Sequence, residues 1–200
     1  MAHPFKLIFG LGNPGKEYEH TYHNAGALAV ASFAGKEGVV FVRPKGKHFA
    51  FAKAGGLIFA LPAVFMNESG IAATEALRFF KLKPKDLCVV HDDSDIELGN
   101  YKVSFGRGSA GHHGVDSIAK TLGAAEFTRV RIGIRPNTPP SPSPLKRERR
   151  KKAGEFVLAR ISPAHKKELY RVFEGIMDNV IEKNTPSLPD AMSVSGTLTL

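Results

Sequence analysis

Leu87-Cys-Val-Val90 is apolar at every position and ends abruptly at His91-Asp92. A strand with one face in water alternates apolar and polar residues, so a strand with no polar phase has to be covered on both faces. Phe5-Lys-Leu-Ile-Phe9 is a second run of this kind, and it leads directly into Gly10-Leu-Gly-Asn-Pro-Gly15. Helical stretches separate such strands. Residues 24–34 are rich in Ala, Leu, Val and Phe, and residues 68–80 place Ile71, Ala72, Ala76, Leu77 and Phe80 on one helical face. Residues 116–122 predict a short helix, and 163–183 a long one with Leu169, Val172, Phe173, Ile176 and Val180 as its core stripe. Further strands are predicted at 39–42, 49–54, 57–61, 101–105 and 130–134, with Gly55-Gly56 closing a hairpin. This alternation predicts an α/β fold: a single three-layer α/β/α sandwich around a mixed, mostly parallel twisted sheet.

Two stretches stand outside that pattern. Residues 137–144 are Pro/Ser-rich and run into Lys146-Arg-Glu-Arg-Arg-Lys-Lys152, six positive charges and one negative. The expected organisation is one domain over 1–184 carrying a flexible basic insertion at 137–152, followed by a loose tail at 185–200.

Composition narrows the function. At 200 residues with 42% hydrophobic and 24% charged, the chain has material for a real core. No run approaches the length of a membrane-spanning helix, and nothing resembles a secretory signal. One cysteine, Cys88, excludes a disulfide framework and a cysteine-rich zinc site, and it suits a reducing, cytoplasmic setting. The formal charge is +9, with 11 basic and 10 acidic residues in 1–100 against 17 and 9 in 101–200. A net +1 in the first half and +8 in the second points to a polyanionic partner, nucleic acid before membrane.

The glycine pattern 10–15 formally matches a dinucleotide-binding turn, but Pro14 lies inside it and no helical spacing follows at once. The better reading is a tight turn that holds Asn13 at the end of a strand. His23 opens a helix at His-Asn-Ala-Gly26, and Asp92 lies just past a buried strand, where open α/β sheets gather their ligand sites. A carboxylate bonded to one ring nitrogen of His23 would fix its tautomer and leave the other nitrogen as a general base. Phe65-Met-Asn67 brings an amide to a helix start, suited either to capping or to a peptide-like ligand. Gly106-Arg-Gly-Ser-Ala-Gly-His-His-Gly114 is a loop able to present N–H groups to an anion. Ser109 lacks the flanking glycine of a hydrolase elbow. His91, His112 and His113 match no metal-binding spacing, and Asp93-Ser-Asp95 matches no calcium loop, so neither metal nor cofactor is expected.

Taken in order, Gly10 to Gly15, Tyr18, His23 to Gly26, Pro62-x-x-Phe-Met-Asn67-x-Ser-Gly, His91-Asp92 and Gly111-His-x-Gly114 resemble the bacterial-type peptidyl-tRNA hydrolases over residues 6–135, with an echo at Phe156-Val-Leu158. That resemblance implies hydrolysis of the ester between a peptide and the terminal ribose of tRNA, without metal or cofactor. It implies His23 as the base that activates water and Asp92 as its orienting partner. Asn13 and Asn67 would hold the peptide backbone, and Tyr18 and Phe65 would line the site. Lys102 and Arg131 would meet tRNA phosphates, and His113 occupies a tRNA-binding position where the family usually has Asn. The basic insertion is a second departure. The implied partner is the acceptor end of peptidyl-tRNA, with no membrane and no obligatory protein partner, the chain acting as a monomer. The alternative is a non-catalytic RNA-binding relative of the same fold, like the splicing factors of plant organelles.

Overall fold

The computed structural model describes residues 5–136, 156–182 and, as backbone, 194–197. The expected insertion at 137–152 lies outside the described residues. Strands are β1 (Leu7–Gly10), β2 (Phe49–Ala54), β3 (Leu57–Pro62), β4 (Leu87–Glu97), β5 (Asn100–Phe105), β6 (Thr128–Arg135) and β7 (Val194–Thr197). Helices are α1 (Ala25–Lys36), α2 (Ser69–Phe79), α3 (His113–Leu122) and α4 (Pro163–Ile176). The sheet runs β2-β3-β1-β4-β6-β5-β7. Its four central strands are parallel, and the outer pairings β2–β3, β5–β6 and β5–β7 are antiparallel.

The wholly apolar strands explain the layering. Ile8, Cys88 and Val90 point to one face, where α1 and α4 pack through Val30, Phe33, Val172 and Phe173. Leu7, Phe9, Leu87 and Val89 point to the other, covered by α2 and α3 through Ala72, Ala76, Val115 and Ile118. Both faces are buried, as the absence of a polar phase requires. Among the described residues no helix is long and apolar enough to cross a membrane.

Several elements differ from expectation. Residues 39–42 form no strand beyond a single bridge between Val42 and Phe51; Val40 is 82% exposed, with no sheet partner. Ile71 points to solvent, not to the core. The reason is close packing of α2 on α3: a Cβ on Gly70 would lie 2.2 Å from the Ser117 carbonyl, so small residues fill that face. Strand β4 continues through the polar stretch to Glu97, because β6 runs alongside it and pairs Glu97 with Arg135 after an irregularity. Helix α4 passes into a π-helical turn, Met177–Glu182, which keeps Val180 buried. The stretch read as a loose tail is corrected in part: Val194–Thr197 pairs with β5. Alternating polar residues at an edge carry little periodic signal, and the ladder there depends on a partner strand.

Candidate active site

Three elements bring His23 to Asp92. The turn Tyr22–Asn24 is tied to residues 157–161 by the His23 N–H donating to the Val157 carbonyl at 2.8 Å and by a Thr21–Arg160 bridge. Helix α1 then lies against the end of β4 so closely that a Cβ on Gly26 would sit 2.1 Å from the Val90 carbonyl oxygen. Two residues further along β4 is Asp92, 3% exposed, at the carboxyl end of the buried run. His23 Nδ1 lies 3.0 Å from Asp92 Oδ1 and 3.1 Å from Oδ2, across 69 residues of chain. Its Nε2 makes no hydrogen bond among the described residues, and the ring lines an open cleft of about 160 Å³.

Two more histidines organise Asp92. His112 Nε2 is 2.9 Å from Asp92 Oδ1, while its Nδ1 accepts from the N–H groups of Gly114 and Val115 at the start of α3. Those donors leave the ring proton on Nε2, aimed at the carboxylate. His91 donates from Nδ1 to the Asp92 backbone carbonyl at 2.7 Å, and burial, with His112 beside it, holds this imidazole well below its usual range. Burial alone would push the Asp92 carboxyl up; charge interaction with His112, then the hydrogen bonds from His112 and His23, overcome it and hold Asp92 far below the ordinary carboxylate range. His23 Nδ1, an Asp92 oxygen and His112 Nε2 fall within 4.8 Å of one another, close enough to suggest a metal centre. The donor set does not fit one: in this arrangement His112 Nε2 carries a proton and has no lone pair to offer a cation.

The remaining predicted residues form two groups around this centre. Asn13 is gripped by Asn24, whose Oδ1 accepts the Asn13 N–H at 2.8 Å and whose Nδ2 donates to the Asn13 carbonyl at 2.9 Å. Asn13 Oδ1 accepts from the Met66 N–H at 2.8 Å, and its side-chain N–H donors make no hydrogen bond among the described residues. Asn67 is exposed in the turn Met66–Glu68 and makes no helix cap, and Tyr18 meets the exposed Phe65 edge-on at 6.1 Å. Gly114 joins this lip to the histidines, since a Cβ there would lie 2.5 Å from Met66 Sδ. His113, exposed, is the first residue of α3 and lines the cleft. On the sheet, Lys102 and Arg131 are direct cross-strand neighbours. Arg131 Nε donates to Asp93 Oδ2 at 2.6 Å, and Asp93 lines the cleft, so the basic pair and the His–Asp centre share one surface. Arg129, 2% exposed on the same strand face, is drawn down to about 10 by burial and by neighbouring Arg131.

Sequence reasoning assigned no role to His112 or Asn24. Each sits beside a residue that was singled out, and the signal for His112 was its position immediately before a helix.

A three-layer α/β sandwich with a histidine–aspartate pair at the carboxyl end of a central parallel strand, open to a cleft, has the arrangement of a candidate general-base site. Comparison with known proteins makes this specific. The chain belongs to the peptidyl-tRNA hydrolase family, whose model matches residues 7–196. It is 39% identical to the peptidyl-tRNA hydrolase of Geotalea uraniireducens over 94% of this chain and 95% of that one. It is 35% identical to that of Neisseria gonorrhoeae over 96% and 93%. The crystal structure of peptidyl-tRNA hydrolase from Acinetobacter baumannii superposes with a TM-score of 0.76 at 26% identity, covering 92% of this chain and 91% of that one.

Proposed function

We propose that the chain hydrolyses the ester that links a peptide to the ribose of tRNA, releasing a peptide carboxylate and free tRNA. The observation that carries this reading is the His23–Asp92 hydrogen bond at the cleft in a chain of this family. His23 donates from Nδ1 to Asp92 and keeps a lone pair on Nε2. Water attacks the ester carbonyl as Nε2 takes one of its protons, and the imidazolium is stabilised by Asp92. The tetrahedral oxyanion collapses, the C–O bond to the ribose breaks, and the proton on Nε2 passes to the departing ribose oxygen. An ester is a reactive enough acyl donor for a histidine-activated water to suffice once donors stabilise the oxyanion.

Selectivity follows from the lip. The side-chain N–H groups of Asn13 and the exposed amide of Asn67 suit the carbonyl and N–H of a peptide bond. A free aminoacyl-tRNA lacks that bond and leaves them unpaired. Tyr18 and Phe65 flank the peptide, while Lys102, Arg131 and His113 face the polyanion. The reaction belongs to the cytoplasm, with the chain acting as a monomer. The non-catalytic RNA-binding alternative has no observation in its favour.

The deciding experiment is release of N-acetyl-amino acid from N-acetyl-aminoacyl-tRNA. Wild-type protein should turn over, and His23→Ala should bind tRNA normally while losing about 10²- to 10⁴-fold in kcat. RNA binding without turnover by the wild type would sink the hydrolytic reading, and full activity in His23→Ala would remove His23 as the base.

A further inference from the structure

We propose that His112 is a positioning residue that pins the Asp92 carboxylate and thereby holds His23 in the tautomer with Nδ1 protonated and Nε2 free. The proposal rests on the hydrolytic reading for its consequence, but not for its geometry. Among the described residues Asp92 Oδ2 hydrogen-bonds to His23 alone, whereas Oδ1 is shared between His23 at 3.0 Å and His112 at 2.9 Å. Without the second donor, the carboxylate could rotate about its side-chain bond and present either oxygen to His23 at varying angles. With it, one oxygen is fixed.

The direction of the His112 hydrogen bond is itself fixed from behind. The first N–H groups of α3 point at Nδ1, at 3.2 and 3.4 Å, and a helix start disfavours a proton there. Nε2 is therefore a permanent donor. The ring has little room to turn: its centroid lies 4.7 Å from that of His91 and 4.9 Å from that of His23. His91 holds the backbone carbonyl of Asp92 in the same way that His112 holds its side chain. The charged and titratable groups around this centre include His23 before α1, His91, Asp92 and Asp93 from β4, His112 and His113 at α3, and from β6 Arg131, which pairs with Asp93, and Arg129, whose charge acts on His91.

A competing view makes His112 only a cap for α3. Two substitutions separate the roles. His112→Asn keeps an acceptor near the Nδ1 position for the helix and loses the reach to Asp92. His112→Gln keeps an N–H at the Nε2 distance and loses the cap. With N-acetyl-aminoacyl-tRNA as substrate, the Asn variant should lose about 10- to 100-fold in kcat with KM and melting temperature close to wild type. The Gln variant should retain most of kcat and melt about 2–4 °C lower. Nitrogen-15 spectra of the imidazole rings give a readout free of substrate. Wild-type His112 should be protonated on Nε2 alone and His23 on Nδ1 alone, and His23 should lose that bias in the Asn variant. Wild-type kcat in His112→Asn, or an Nδ1-protonated His112, would overturn the proposal. Should the wild type release no product, the hydrolytic reading falls, while the ring tautomers still decide whether His112 pins Asp92. Should His112→Asn not fold, the wild-type tautomers and the Gln variant still decide.

Discussion

Replacing Gly26 by Ala tests whether the approach of α1 to β4 builds the proposed catalytic pair, His23 and Asp92. The added Cβ would stand 2.1 Å from the Val90 carbonyl oxygen and 2.9 Å from the Leu11 nitrogen, where Cβ contacts are essentially never closer than 3.0 Å. Neither neighbour is a flexible side chain: both are backbone atoms of the central sheet and the loop that follows it. Helix and strand must therefore separate by about 0.9 Å, at a cost of about 1–3 kcal/mol for overpacking. Carried back to His23, the same movement stretches its 3.0 Å contact with Asp92 to about 3.9 Å, beyond a hydrogen bond. Loss of alignment on that scale costs about 10²-fold in rate. The assay is single-turnover release of N-acetyl-amino acid from tRNA, beside urea denaturation followed by circular dichroism. We expect Gly26→Ala to remain folded, to lose about 1–3 kcal/mol of stability, and to fall in kcat while tRNA affinity is kept. A variant with wild-type stability and wild-type kcat would refute the reasoning, because the helix would then have tolerated the methyl without moving.

Lys102→Gln should weaken tRNA binding and reduce the slope of log affinity against log salt by about 1, with kcat retained, as measured by filter binding across a salt series; an unchanged slope removes Lys102 from the phosphate contacts. Arg131→Gln should do the same and also lower kcat, because Asp93 at the cleft then loses its 2.6 Å partner. For His91, burial depresses the folded-state value, so below about pH 6.5 the unfolded chain binds a proton that the folded chain does not, and stability falls as pH falls. The wild type should lose up to about 1.4 kcal/mol per pH unit from this source, and urea titrations of His91→Gln between pH 7 and 5 should show a flatter dependence; parallel curves for the two proteins would discount it.

Much of the fold could be read in the sequence because burial leaves a local mark. A strand covered on both faces has no polar phase, so β1 and the first half of β4 announced a parallel sheet between helical layers. The same signal failed where burial and pattern part company. Residues 91–97 look polar yet extend β4, because the hydrogen-bonding partner β6 is supplied from elsewhere in the chain. Ile71 has the right spacing for the core and still faces solvent, because α2 meets α3 through glycine and alanine.

The site divides along the same line. The sequence by itself offered the chemical types as candidates: a histidine at a helix start, a carboxylate past a buried strand and amides on two turns, with Lys102 and Arg131 added only through the family resemblance. The tertiary structure decided which of them touch. His23 meets Asp92 across 69 residues because Gly26 lets a helix rest on a strand's backbone. His112 becomes a donor to Asp92 because the opening turn of α3 occupies its other nitrogen. Residue type and periodicity are local properties written along the chain. Distance, tautomer and the sharing of one carboxylate between two rings depend on how separate elements pack, and no local pattern records them.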